Sequence, residues 1–219
     1  MARTTRQVPP TVRIERDLVK EFEVAAVAGI DEAGRGALAG PVFAAAVILP
    51  LDREEGLDKL SAVRDSKVLT PSERERLVPI ICEVALSVGI GWAGAGWIDE
   101  YGILSATRRA VSRALQGLAL PAEAVIVDGP LRLVSLNVPQ KLVVGADRLS
   151  LSVAAASILA KVSRDQHMIR LDDRYPAFGF SRHKGYGTAA HLEAIRRCGH
   201  CPEHRSSFSP IRTELNIAI

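Results

Sequence analysis

The apolar positions of this chain fall into short runs separated by glycine, proline and charge, and the spacing within each run predicts its element. Residues 24–31 and 41–49 are rich in Ala, Val and Ile and are predicted as two strands joined by a tight glycine-rich turn. Residues 51–69 are charged and irregular, as expected of a surface connection. In "TPSERERLV", Thr70 as N-cap, Pro71 at the first helical position and Glu73 in a capping box predict a helix start. Pro79 removes a backbone donor, so that helix is expected to kink or restart there. Leu86, Val88, Ile90 and Trp92 alternate with small residues, a strand pattern. Ile103, Leu104, Val111, Ala114 and Leu115 recur at helical spacing over 97–118, with Gly117 near the end. Two further apolar runs, "AVIVDGP" at 124–130 and "QKLVVGAD" at 140–147, share one layout, an apolar stretch that ends in an acid. From Ser150 a helix-length string is apolar early and charged late. The turn-rich "PAFGFSRHKGYG", a short helix "TAAHLEAIRRC" and a polar tail follow. Strand and helix alternate through the middle of the chain, which predicts an α/β layered fold with helical decoration at the C-terminus.

Composition changes this picture little. With 219 residues, 47% of them hydrophobic and 24% charged, one globular domain is expected, here taken as residues 23–219 with a C-terminal helical extension from about 166, behind a loose tail over 1–22. A net charge of +3 and a pI near 8.9 suit a polyanionic partner without requiring one. No window has the apolar span of a membrane helix, and the three cysteines cannot all pair within one chain, so a cytoplasmic, reducing setting and no membrane partner are expected. Cys198, His200, Cys201 and His204 carry a zinc-like spacing, but they crowd into seven residues without a second half-motif, so no zinc is expected. The "CGHC" within them lacks the strand–helix–strand setting of a redox pair. Trp92 and Trp97 read as core and helix-start residues or as base-stacking platforms, and Arg108, Arg109 and Arg113 as a basic helix face.

The unusual segment is "VAGIDEAGRGALAGP", Val27 to Pro41, in which two adjacent acids end an apolar run and Gly-Arg-Gly follows at once. Asp31 and Glu32 after "VAGI", Asp128 after "AVIV" and Asp147 after "LVVGA" all stand at the ends of apolar runs. Functional groups of α/β sheets gather at the carboxyl ends of strands, where these four would form a mutually repelling cluster. Either they cap turns and helices, as single aspartates often do, or they share divalent cations with hard oxygen ligands, Mg²⁺ or Mn²⁺. Two such ions about 4 Å apart would clamp a phosphoryl displacement. Glycines 34 and 36 either make a turn or let backbone amides, beside Arg35, approach sugar and phosphate, where contact with a 2′-hydroxyl separates RNA from DNA.

With these residues assembled, the chain from about Val27 to Ile211 resembles bacterial ribonuclease HII, the type 2 ribonuclease H. The motifs that carry the resemblance are "GIDEAGRGALAGPV" at 29–42, "DSK" at 65–67, "VDG" at 127–129, "ADRLSLSVAAASILAKVSRD" at 146–165, and "HKGYGTAAHLEAI" with "CPEHRSSFSP" at 183–210. It implies an RNase H-like fold, a mixed central β-sheet flanked by helices with a C-terminal helical extension. It also implies a monomeric endonuclease that cuts the RNA strand of RNA–DNA hybrids and incises 5′ of ribonucleotides embedded in duplex DNA, as ribonucleotide excision repair and DNA replication require. Two Mn²⁺ or Mg²⁺ ions would serve it, leaving 5′-phosphate and 3′-hydroxyl ends. By the same resemblance Asp31, Glu32, Asp128 and Asp147 match the catalytic and metal-binding acids, with Asp31 bridging the ions. Gly34, Arg35 and Gly36 match the segment that feels the 2′-hydroxyl, and Tyr186 the tyrosine that packs on the following deoxyribose. Ser66, Lys67, His183 and Lys184 are expected to hold backbone phosphates, and Cys201 and His204 to pack the C-terminal part. The chain departs from the family pattern twice: Ala37 stands where proline is usual, and "VVGAD" lacks a lysine before Asp147, removing a positive charge there. A non-catalytic nucleic-acid-binding protein and a DNA-junction nuclease on a related fold are the alternative readings.

Overall fold

The computed structural model describes residues 8–134 and 136–212. Five strands form one sheet in the order β3-β2-β1-β4-β5, with β1 at Val27–Ala33, β2 at Val42–Ile48, β3 at Ser87–Ala93, β4 at Ala124–Asp128 and β5 at Gln140–Val143. The helices are α1 (Arg13–Phe22), α2 (Glu54–Asp58), α3 (Pro71–Val84), α4 (Ala95–Gln116), α5 (Leu151–Arg174), α6 (Phe180–His183) and α7 (Ala189–Cys198). The expected α/β fold is therefore present. The chain divides into two compact units, Met1–Asp31 with Ala46–Val88 and Leu118–Ile158, and Glu32–Ala45 with Gly89–Gly117 and Leu159–Ile219.

In the first unit Val27, Ala124, Ile126, Ala146 and Val153 bury a common cluster with Leu18 of α1. The presence of Leu18 there corrects one expectation. Residues 1–22 read as a loose tail because the segment is polar, yet Arg13–Phe22 is a helix with Leu18 and Glu15 buried; residues 1–7 of that tail lie outside the described residues. Glu15 explains the burial. Its Oε1 accepts from Ser150 Oγ at 2.7 Å, Ser152 N at 2.9 Å and Ser152 Oγ at 2.7 Å, so a carboxylate from α1 satisfies free donors in the first turn of α5. Gly29 of β1 fits against the same turn, where a Cβ would collide with Ser152 Oγ and Val153 N. At α3 the predicted capping box is formed, with Thr70 and Glu73 bonded reciprocally. Of the kink or restart expected at Pro79, the restart does not occur, since one helix runs through it from Pro71 to Val84.

The second unit gathers Leu38, Met168, Phe178, Phe180, Ile195 and Ile211 in its core. Along β3 the alternation is present with an unexpected polarity: Gly89, Gly91 and Ala93 lie on the buried side, while Ile90 and Trp92 are exposed. Backbone of α4 lies so close that a Cβ on Gly91 would run into Ala110 O, and large side chains are thereby turned to solvent. Helix α4 itself is interrupted at Gly102, whose φ of 79° and ψ of 162° are not helical.

The Glu15 cap predicts that Glu15→Ala lowers unfolding free energy by about 2 kcal/mol, because it strands buried donors of Ser150 and Ser152. Urea denaturation measures it, and a change under about 0.5 kcal/mol would show that α1 merely rests on the fold.

Candidate active site

Parallel pairing decides where the acids meet. Strands β1 and β4 run parallel with Ile30 opposite Val127, so the next residue of each, Asp31 and Asp128, stands at the same level on neighbouring strands. Asp128 in turn lies in register with Val143 of β5. Beyond Val143 the chain reverses at Gly145, which adopts a φ of 72°, into a single 3₁₀ turn, Ala146–Arg148, that carries Asp147. The Ala146 amide donates to Asp128 Oδ1 at 2.7 Å and ties this turn to the strand end. As a result Asp31, Asp128 and Asp147 each offer one carboxylate oxygen, all within 4.8 Å of one another. Asp31 and Asp147 are buried and Asp128 partly so.

Such crowding is costly for anions. Burial raises the pKa of Asp147, and the charges of Asp65 and Asp128 add to that, against the lowering effect of Lys67. Lys67 Nζ donates to Asp147 Oδ2 at 3.1 Å and lies 3.9 Å from Asp65 Oδ1. Burial works against the Lys67 cation, but its hydrogen bond to Asp147 and the charges of Asp147, Asp65 and Asp31 raise its pKa overall. The positive charge that the sequence lacks just before Asp147 is thus provided from another element. Asp65, the first residue of the "DSK" motif and one with no role expected from the sequence, is buried beside the cluster. Three oxygen ligands of this kind, with no nitrogen or sulfur among them, suit a hard divalent cation such as Mg²⁺ or Mn²⁺.

Glu32, the first residue of the second unit, is half-buried and accepts from Arg35 Nη1 at 3.1 Å. Within this unit the Gly-Arg-Gly segment and the "HKGYG" turn meet, because the amides of Leu38 and Ala39 donate to Gly185 O at 2.8 and 3.2 Å. Tyr186 at the turn is partly exposed, with Arg164 Cζ 5.3 Å and Lys161 Nζ 5.9 Å from its ring centre. A buried hydrogen-bond chain holds the turn from behind. His191 Nδ1 donates to Tyr186 O at 3.0 Å, which leaves His191 Nε2 to accept from His204 Nε2 at 3.1 Å, and His204 Nδ1 to accept from Cys201 N at 2.9 Å. His183 likewise has both ring nitrogens engaged, accepting from Gly185 N at 3.2 Å and donating to Phe178 O at 2.9 Å. The ammonium of Lys184 donates to Ser181 O. Ser66 is buried, its amide donating to Ser157 Oγ at 3.3 Å and its carbonyl accepting from Arg74. Of the expected phosphate-binding residues, Lys67 and Lys184 have cationic tips. Trp97 and Trp92 are each covered by an arginine, Arg109 at 3.7 Å and Arg113 at 5.5 Å from the ring centre, which gives both rings an intramolecular partner.

The model of the family described as Ribonuclease HII matches residues 28–211. The chain belongs to the ribonuclease HII family. Ribonuclease HII of Geobacillus kaustophilus is 51% identical over 208 residues, covering 94% of this chain and 76% of its own length. That of Geobacter metallireducens is 47% identical over 196 residues, 90% of this chain and 89% of its own. Among solved structures, ribonuclease H2 from Pyrococcus horikoshii superposes with a TM-score of 0.71 at 27% identity, over 86% of this chain and 96% of that one. The matched span agrees with the one drawn from the motifs, and membership makes the chain a metal-dependent endoribonuclease of RNA–DNA hybrids.

The histidine chain has a consequence for stability. Burial, as the main cause, lowers the pKa of both His191 and His204 from 6.5 to about 4. A histidine depressed in the folded state stabilises fully above its unfolded pKa and loses that contribution as pH falls toward 4. Each group is worth roughly 3 kcal/mol at most on this basis. Urea denaturation between pH 7 and pH 4 is therefore expected to show a steep loss of stability that becomes shallower in His204→Gln. Equal pH dependence in the two proteins would contradict neutral, mutually bonded histidines.

Proposed function

We propose that this chain incises duplex DNA on the 5′ side of embedded ribonucleotides, besides cutting the RNA strand of hybrids, and leaves 5′-phosphate and 3′-hydroxyl ends. The observation that supports this most is the buried oxygen cluster of Asp31, Asp128 and Asp147. On this reading those three, with Glu32 next in the chain, would hold two divalent cations, magnesium or manganese. A divalent cation bound there supplies Lewis acidity, offsetting phosphate charge and making water more acidic.

The remaining roles belong to the protein's own groups. Asp31, Asp128 and Asp147 are fixed by strand register and by the Ala146 amide, so the cluster is assembled before substrate arrives. Lys67, three-quarters exposed and hydrogen-bonded to Asp147, has further ammonium N–H donors to offer a backbone phosphate. Lys184, in the second unit, is the other cationic tip proposed to meet a backbone phosphate. His183, with both nitrogens engaged, shapes the turn instead. The amides of the Gly34–Gly36 segment meet the ribose 2′-oxygen, and the Tyr186 ring packs on the next deoxyribose, so the enzyme reads a ribose followed by a deoxyribose. The chain is proposed to act as a cytoplasmic monomer that removes ribonucleotides from DNA.

On a labelled duplex with one ribonucleotide, Asp31→Asn is expected to lower the cleavage rate at least ~1000-fold while affinity for the duplex changes by less than about threefold. Full activity would remove Asp31 from the site. Tyr186→Ala is expected to reduce the preference for a ribonucleotide–deoxyribonucleotide junction over the interior of a hybrid by about tenfold, with little change in melting temperature. An unchanged cleavage pattern would contradict the role given to the ring.

A further inference from the structure

Two arginines in the second unit, Arg164 and Arg205, are fully buried, and their guanidinium groups are spent on backbone oxygens. Arg205 Nε and Nη2 donate to Gly40 O at 3.0 and 2.8 Å, Nη2 also to Gly34 O at 2.7 Å, and Nη1 to Arg35 O at 2.8 Å. Arg164 donates from Nε to Pro41 O at 2.9 Å, from Nη2 to Ala39 O at 3.1 Å and from Nη1 to Lys184 O at 2.9 Å. Burial lowers both pKa values. For Arg205, burial together with the neighbouring Arg164 charge brings it down to about 9, so the group stays cationic at neutral pH. Burying two adjacent cations for structure alone is expensive, because carbonyl dipoles compensate charge less well than a carboxylate does.

The geometry shows what the expense achieves. In a planar trans peptide the carbonyl and the following N–H point in opposite directions. With Gly34 O and Arg35 O drawn to Arg205, the N–H groups of Arg35 and Gly36 face away from it. A positive charge at the oxygen end of each peptide group also polarises it, which makes its N–H a stronger donor.

The two glycines differ in a way that fits this arrangement. Gly34 has a φ of 92° and its Cβ position is occupied by the Arg164 side chain, so glycine is required there by the protein itself. At Gly36 a Cβ would meet nothing within 4 Å and φ is not in the left-handed region. Among the described residues nothing demands a glycine at 36, whereas a ligand backbone approaching the amide would. Arg205 is itself anchored by its neighbours. Asp99 accepts from Ser206 N and Oγ at 2.9 and 2.8 Å and from Ser207 N and Oγ at 2.9 and 2.6 Å.

We propose that Arg205 is a positioning residue for ribose recognition: it orients and polarises the Gly34–Arg35 and Arg35–Gly36 peptide groups so that their N–H groups form a fixed donor pair for a 2′-oxygen and its adjoining phosphate. Arg164 locks the same loop to the Tyr186 turn through Ala39 and Lys184. The inference rests on the functional reading above and adds to it the residue that sets ribose selectivity from beneath the loop.

The test is fluorescence anisotropy with the full chain and Ca²⁺, using a DNA duplex with one ribonucleotide and its all-DNA counterpart. The wild-type chain is expected to bind the ribonucleotide duplex more tightly. Arg205→Lys, which keeps one charge but cannot span Gly34, Arg35 and Gly40, is expected to reduce that affinity ratio about tenfold while binding to all-DNA stays within twofold. A merely structural role would lower the active fraction for both duplexes and leave the ratio intact, and that result overturns the proposal. If Arg205→Lys does not fold, amide NMR of the wild-type chain decides: the Arg35 and Gly36 N–H signals should move downfield with the ribonucleotide duplex and not with all-DNA, and unchanged signals overturn the proposal. A wild-type chain that binds both duplexes alike overturns the functional reading itself, and the role of Arg205 with it.

Discussion

Carboxylate crowding at the ends of parallel strands is the constraint around which the first unit is organised. Three oxygens within 4.8 Å of one another repel, and the fold brings them together regardless, through strand register, the Gly145 reversal and the Ala146 amide. Each device has a local cost: a left-handed glycine, a raised Asp147 pKa, and a lysine held against that acid. A protein that only bound nucleic acid would gain nothing from acids facing phosphate, since they would repel it. A cation that bridges acid and phosphate turns the same arrangement to advantage.

The second unit solves the complementary problem with the opposite charge. Recognition of a sugar hydroxyl by backbone amides, as proposed for Gly34–Gly36, requires a loop whose peptide groups cannot rotate. Here two buried guanidiniums and a chain of neutral histidines hold the Gly34–Pro41 loop and the Tyr186 turn in one register. The glycines of this loop are not equivalent: a Cβ on Gly34 would collide with the Arg164 side chain, whereas one on Gly36 would meet nothing within 4 Å.

Much of this was legible in the sequence, for identifiable reasons. The acids stood out because each ended an apolar run, and a parallel sheet converts that linear pattern into a cluster. The Thr70 capping box and the strand alternation at 86–92 are local signals, and local structure follows them. The polarity of β3 was not legible, because it depends on α4 lying against Gly91, a contact far away in sequence. Helix α1 was missed since its anchoring residue, Glu15, reads as one more surface acid until Ser150 and Ser152 are beside it. Arg164 and Arg205 were hidden for the same reason: a charged residue near a helix end or in a polar tail looks solvated, and only tertiary structure reveals that its partners are carbonyls, most of them more than a hundred residues away. The charge absent before Asp147 looked like a loss, whereas Lys67 restores it from 80 residues upstream.

The most direct measurement is cleavage of a labelled DNA duplex containing a single ribonucleotide by the purified wild-type chain in Mg²⁺, in Mn²⁺ and with a chelator. The account predicts one incision, on the 5′ side of the ribonucleotide, that appears with either ion and vanishes with the chelator. Tight binding of the duplex without incision in either ion would contradict it.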